Sequence, residues 1–262
     1  MTLRETVNQL CQKRLGRLPD LESPKGYNDK IQWLKLHDQR KEHITACDKW
    51  AVRQMVPEQH LIEARLGLAP DLIPGFVKCT HDSGGTMKVE SDLDSQRAHL
   101  ALAPRLSQSY GVTKGEWAYQ FVPPRLMTER LLELNITDYK FHCSEGEIRW
   151  VQVIHDRARA VKETILQPSG RSSGLHMDQN MRHCPDAPVY PGGDAWTELT
   201  GLARKLAAPW KYVRVDLYWS QGQAWFGELT FWPLAGCYRT KDEPVFGDLL
   251  VMGLDKREPI VA

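Results

Sequence analysis

The amino-acid sequence predicts an α+β fold in which helices are interleaved with antiparallel hairpins. Three observations carry this expectation. YVRVDLYW and AWFGELTFW alternate apolar and polar residues and are joined by the short turn SQGQ. A second strand–turn–strand pattern runs from Asp138 to Val153, with its turn at SEGE. Between them, AWTELTGLARKLAA repeats Trp196, Leu199, Leu202, Ala203 and Leu206 at helical spacing. Strands joined by hairpins and mixed with helices give antiparallel sheets.

The elements follow in order. Residues 1–20 form a short helix with Val7, Leu10, Cys11 and Leu15 on one side, and Pro24 and Gly26 break the chain. Asn28 is placed to cap NDKIQWLKLHDQR, with Asp29 in its first turn. Asp48 caps a further helix, DKWAVRQMV, burying Trp50, Ala51 and Met55. Phe76 to Cys79 reads as a strand, followed by HDSGGT and a second short strand, MKVE. Helix returns near 91–103, and a double proline precedes LMTERLLEL. Residues 167–193 are rich in Gly, Pro and Ser, as in a functional or disordered loop. Asp194 then caps the helix that Pro209 ends.

Composition narrows the classes of function. The 262 residues amount to roughly 1.7 domain units. Apolar residues are 42% and charged residues 26%, which excludes a disordered chain, a collagen and a coiled coil. A net charge of +1 gives no electrostatic case for a nucleic-acid binder or an acidic-membrane binder. No signal peptide or membrane span is legible, and the six cysteines form no CxxC pair. The expected setting is the cytoplasm, with reduced thiols. His176, His183 and Cys184 match no standard zinc spacing and are read as incidental.

With the last hairpin centred on Gly222, Asp216 faces Glu228 and Arg214 faces Thr230. These four share one face, while Val213, Val215, Leu217, Leu229 and Phe231 share the other. Opposed side chains sit about 4.5–5.5 Å apart at Cβ, so two carboxylates there need a cation or a proton. A hard divalent ion such as Mg²⁺ resolves the conflict, and arginine suits phosphate or an oxyanion. A solvated surface with an Arg–Asp pair is the competing reading. Upstream, Lys78 precedes HDSGG, and a loop symmetric about Ser83 would set Lys78 opposite Lys88. Glycines let backbone N–H groups close over phosphate, although an ordinary hairpin loop looks the same.

Together these pieces resemble the ATP-grasp superfamily, and within it the TupA-like, teichuronopeptide-biosynthesis branch. The resemblance rests on NDKIQWLKLHD (28–38), DKWAVR (48–53), FVKCTHDSGG (76–85), DYKFHCSEGEIRWVQV (138–153) and YVRVDLYWSQGQAWFGELTFWP (212–233). It implies an ATP-grasp fold of two α+β lobes that clamp ATP, residues 48–134 and 135–262, behind a helical segment 1–47. It implies ATP contacts from Arg53, Lys78, the loop His81–Gly85 with Ser83 and Gly84, the hinge residues Glu129, Arg130 and Leu132, and Lys140. Glu133 is a ribose candidate. RVD supplies Arg214 as the catalytic arginine and Asp216 as a metal ligand, and ELT supplies Glu228 and Thr230, with threonine where asparagine is common.

The implied activity is a Mg²⁺-dependent carboxylate–amine ligase that passes through an acyl-phosphate and releases ADP. Its substrates would be a small carboxylate, held by Arg149 or Arg157, and an amine, in a surface-polysaccharide or peptide-like product. A homodimer is one expected arrangement. A kinase on the same fold is the alternative. A glycosyltransferase using Asp92-Leu93-Asp94 is a third, although that stretch reads better as a helix cap.

Overall fold

A computed structural model describes residues 1–157 and 159–255. The chain forms two compact units. One comprises residues 1–40 together with the chain from Asn135 onward, and the other is Lys41–Leu134. The N-terminal helices thus belong to the same unit as the last hairpin.

Helix α1 (Leu3–Leu15) opens on a capping box: Thr2 Oγ1 accepts from Glu5 N, and the Glu5 carboxylate accepts from Thr2 N. It buries Val7, Leu10 and Cys11. Helix α2 (Tyr27–His37) starts at Gly26 with no side-chain cap. Asn28, expected to cap it, lies inside the helix. Its side-chain amide donates to Tyr238 O at 2.8 Å and accepts from Tyr238 N at 2.9 Å. A cap satisfies one backbone donor, whereas this amide satisfies a buried donor and a buried acceptor at once.

The smaller unit begins with α3 (Glu42–Cys47), which periodicity did not reveal. The expected Asp48 helix is a 3₁₀ turn, Ala51–Met55, with Asp48 Oδ1 accepting from Trp50 N at 2.9 Å. Strands β1 (Ala64–Leu66), β2 (Gly75–Cys79), β3 (Thr86–Val89) and β4 (Leu126–Arg130) form an antiparallel sheet ordered β1-β4-β2-β3. Helix α4 (Asp92–Leu102), capped by Ser91, packs Ala98 and Leu102 on Val77, Cys79 and Val89. Asp92 and Asp94 occupy its first turn, as capping chemistry required.

The larger unit resumes with β5 (Asp138–Ser144), β6 (Glu147–His155), β7 (Lys162–Leu166) and the two-residue β8 (Arg182–His183). Then come α5 (Gly193–Ala207), β9 (Tyr212–Ser220), β10 (Gln223–Thr230) and α6 (Glu243–Leu249). The sheet order is β10-β9-β5-β6-β7-β8, antiparallel except for the β7–β8 pair. Gly192, not Asp194, stands at the α5 cap position, and Asp194 lies in the first turn.

One sheet face carries Val213, Val215, Leu217, Phe141 and Val151, all fully buried. α5 covers it with Trp196, Leu199, Leu202 and Leu206. Each such side chain contributes about 1.5–3 kcal/mol on burial. The opposite face is polar along β9 and β10. At its far end it meets aromatic rings: Tyr27 of α2 stands 5.8 Å from Trp150, 6.1 Å from Tyr212 and 5.8 Å from Tyr238, ring centre to ring centre.

Candidate active site

The β9–β10 hairpin pairs Asp216 with Glu228 and Arg214 with Thr230, as the sequence predicts. It reaches that register by two compensating features. The turn is Gln221-Gly222, both with positive φ, so Ser220 pairs with Gln223. A bulge between Phe226 and Glu228 then shifts the pairing by one residue.

Arg214 is buried and binds Asp216 through two parallel bonds, Nε to Oδ1 at 2.6 Å and Nη2 to Oδ2 at 2.7 Å. Nη2 also donates to Glu228 Oε1 at 3.0 Å and to Thr230 Oγ1 at 3.1 Å. Thr230 Oγ1 donates to Glu228 Oε1 at 3.0 Å. Lys140, opposite Asp216 on β5, donates to Asp216 Oδ2 and stands 3.2 Å from Asp138 Oδ2. The expected block is therefore one connected set with Lys140 in it.

Burial pushes the Asp216 carboxyl up, against the downward pull of Arg214 and Lys140. Burial also works against the Arg214 charge, yet Asp216 and Glu228 hold its proton more firmly than usual. Two carboxylates and a hydroxyl form an all-oxygen donor set, which fits a hard divalent cation.

Asp138 is a member that spacing did not single out. It pairs with Lys140 and with Arg157, and its Oδ1 is buried without a hydrogen-bond partner. Arg157 thus stands beside the block. Arg149 does not: it donates to Ser144 Oγ at 2.7 Å and to Val251 O, holding the far end of the sheet. His142 and Gln152 extend the polar face across β5 and β6, with His142 opposite Arg214.

In the smaller unit, Lys78 pairs with Glu129 across β2 and β4. Burial lowers the Arg53 guanidinium's hold on its proton, with Glu129 opposing, so Arg53, Lys78 and Glu129 share one environment. Arg53 Nη2 donates to Ile62 O at 2.8 Å. Arg130 points from the other side of β4 and donates to Glu63 Oε2 at 3.0 Å and to Asp71 O. Leu132 is half-buried just beyond β4.

Lys78 does not face Lys88. β2 and β3 pair Lys78 with Thr86 and Phe76 with Lys88, so the turn centres on Asp82 and not on Ser83. Asp82 organises the loop: its Oδ1 accepts from Gly85 N at 3.1 Å, and its Oδ2 accepts from Arg105 Nε at 2.5 Å. A Cβ at Gly85 would press on the Asp82 carboxylate, so a larger residue there displaces the side chain that orders the loop. His81 is buried with Nε2 3.0 Å from Arg105 O, while Ser83 and Gly84 are exposed.

His176 and His183, read from spacing as incidental, do converge. With Glu163 of β7 they place ligand-type atoms within 4.8 Å of one another.

A model of the TupA-like ATPgrasp family matches residues 29–251, and the chain belongs to that family. No curated protein matches it. Solved structures similar to it include a D-alanine–D-alanine ligase from Bacillus anthracis complexed with ATP. That pair is 15% identical with a TM-score of 0.44, covering 86% of this chain and 62% of the other. A Campylobacter jejuni biotin carboxylase complex gives 13% and 0.45, covering 94% and 49%. The ATP-grasp ligase PsnB with a precursor variant, Mg and ADP gives 10% and 0.41, covering 78% and 56%. The chain spans about half to three-fifths of the length of these structures.

Proposed function

We propose that the chain is an ATP-dependent carboxylate–amine ligase that works through an acyl-phosphate and releases ADP. The observation that carries this reading is the connected block of Arg214, Asp216, Glu228, Thr230 and Lys140 on one hairpin face. Membership of the TupA-like ATPgrasp family supports it.

In this reading a substrate carboxylate attacks the γ-phosphate of ATP, and an amine then displaces phosphate to leave an amide. The protein positions the reactants and neutralises charge, as in other phosphoryl transfers. Asp216, Glu228 and Thr230 would hold Mg²⁺, which supplies charge neutralisation to phosphate oxygens when bound. Arg214 donates to the oxyanion that develops at the acyl carbon. Lys140 presents an ammonium to phosphate, held in place by Asp138. In the smaller unit, Arg53, Lys78 and the loop His81–Gly85 are assigned to the nucleotide. Arg157, beside Asp138, is assigned to the substrate carboxylate. The product class we favour is a surface-polysaccharide or peptide-like conjugate, in line with the family.

The test is ADP release by the full-length protein with Mg²⁺ and ATP across a panel of carboxylic acids, with hydroxylamine present. A ligase gives ADP and a hydroxamate. AMP would overturn the acyl-phosphate, and a stable phosphoester would make the enzyme a kinase. Arg214→Lys keeps the charge but loses the fork, and kcat should fall about 10²–10³-fold. Full activity in Asp216→Asn would overturn the metal assignment.

A further inference from the structure

We propose that Glu163, His176 and His183 form a second cation site, separate from the hairpin block, for a borderline divalent metal such as Zn²⁺. Glu163 comes from β7, His183 from β8 and His176 from the loop that joins them. The three offer ligand atoms within 4.8 Å of one another, with Glu163 Oε2 3.6 Å from His176 Nε2. A tetrahedral zinc with bonds of about 2.0–2.1 Å spaces its ligands about 3.3 Å apart. The Glu163–His176 pair already approaches that distance, and His183 has the furthest to move.

Three further observations point to a ligand. First, His183 Nδ1 is buried and has no hydrogen-bond partner. A buried ring nitrogen with nothing to bind costs free energy that a metal bond recovers. Second, the Glu163 carboxylate is fully buried and aimed by a shell of donors. Gln152 Nε2 donates at 2.6 Å, Met177 N at 2.7 Å and Asp178 N at 3.1 Å. Metal ligands are characteristically oriented by such outer partners. Third, a further carboxylate borders the histidines: Asp242 Oδ2 accepts from His176 N at 2.9 Å.

Two imidazoles and a carboxylate suit zinc, cobalt or nickel, whereas Mg²⁺ and Ca²⁺ prefer oxygen. His176 Nε2 also faces Met181 O at 3.1 Å, a contact that ligation through this nitrogen exchanges for the metal. The site staples the loop after β7 back onto the sheet.

The test uses full-length protein stripped with a chelator and titrated with Co²⁺ in excess Mg²⁺. Bound metal is measured after gel filtration, and coordination is read from the visible spectrum. One equivalent is expected, with the intense bands of four- or five-coordinate cobalt, displaced by Zn²⁺ and unaffected by Mg²⁺. His183→Ala should weaken binding at least about 10-fold, and Asp216→Asn should leave it intact. Should His183→Ala not fold, His183→Gln is read in the same way. Wild-type protein that retains no Co²⁺ overturns the site, as does undiminished binding in the His183 variants or its loss in Asp216→Asn.

Discussion

Arg214 shows what a guanidinium does that an ammonium cannot. Its planar fork holds both oxygens of Asp216 and still reaches Glu228 and Thr230. Its neighbour His142 is constrained differently. The His142 ring stacks on Trp150 with centres 4.5 Å apart, and Nδ1 lies 2.9 Å from Tyr212 Oη. Burial, with Arg214 beside it, keeps this imidazole neutral to well below its ordinary range. The unfolded chain protonates His142 near pH 6.5, so between that value and the depressed folded one the unfolded state binds more protons. The stabilisation is therefore complete above about pH 6.5 and is lost as pH falls, by up to about 1.4 kcal/mol per unit. Urea unfolding at about pH 7.5 and about pH 5.5 should show this loss, and His142→Asn should flatten it. An unchanged slope in that variant would assign the acid sensitivity to other groups.

At the scale of elements, the β9–β10 hairpin was readable because two strands of alternating residues flank a short polar turn. The centring on Gly222 led to the right partners although the turn is Gln221-Gly222, because the bulge at Gly227 restores the register. The β2–β3 hairpin lacks that clarity. Its turn is centred one residue before the expected Ser83, which moves Lys78's partner by two residues, from Lys88 to Thr86, and leaves both lysines on one face. β7 and its partnership with His176 and His183 could not be read at all, since their meeting depends on a loop whose path no local pattern encodes. Two glycines test the element-level account in opposite directions. Gly222 has φ 77°, so Gly222→Ala should cost about 1 kcal/mol in urea unfolding. Gly201 sits exposed inside α5 with open space where a Cβ would go. Gly201→Ala should raise stability by about 0.5–1 kcal/mol. A destabilised Gly201→Ala would contradict the packing of that helix.

At the scale of the molecule, length left one fair-sized domain or two small lobes open, and only the family resemblance divided the chain into two lobes with the β9–β10 hairpin in the second. What the sequence did not reveal is the company kept by the N-terminal helices. α2 carries no motif for its partners, and its tie to Tyr238 spans 210 residues. Contacts that distant form late, because closing a long loop costs entropy before the contact is made. Lys41–Leu134 is built from closer pairings, such as Lys78 with Thr86. In pulsed hydrogen exchange during refolding, amides of β2 and β3 should gain protection before those of α2. Simultaneous protection would mean that the two units fold as one.

The Asn28–Tyr238 tie also matters while the chain is being made. α2 leaves the ribosome 210 residues ahead of the residue that receives its amide, an interval of about 10–40 s at ordinary rates of synthesis. Until Trp150 and then Tyr212 follow, Tyr27, buried in the finished protein, lacks the rings that it later packs against. The nascent chain thus presents aromatic and aliphatic side chains early, and a holding chaperone that recognises such side chains should find its first target there.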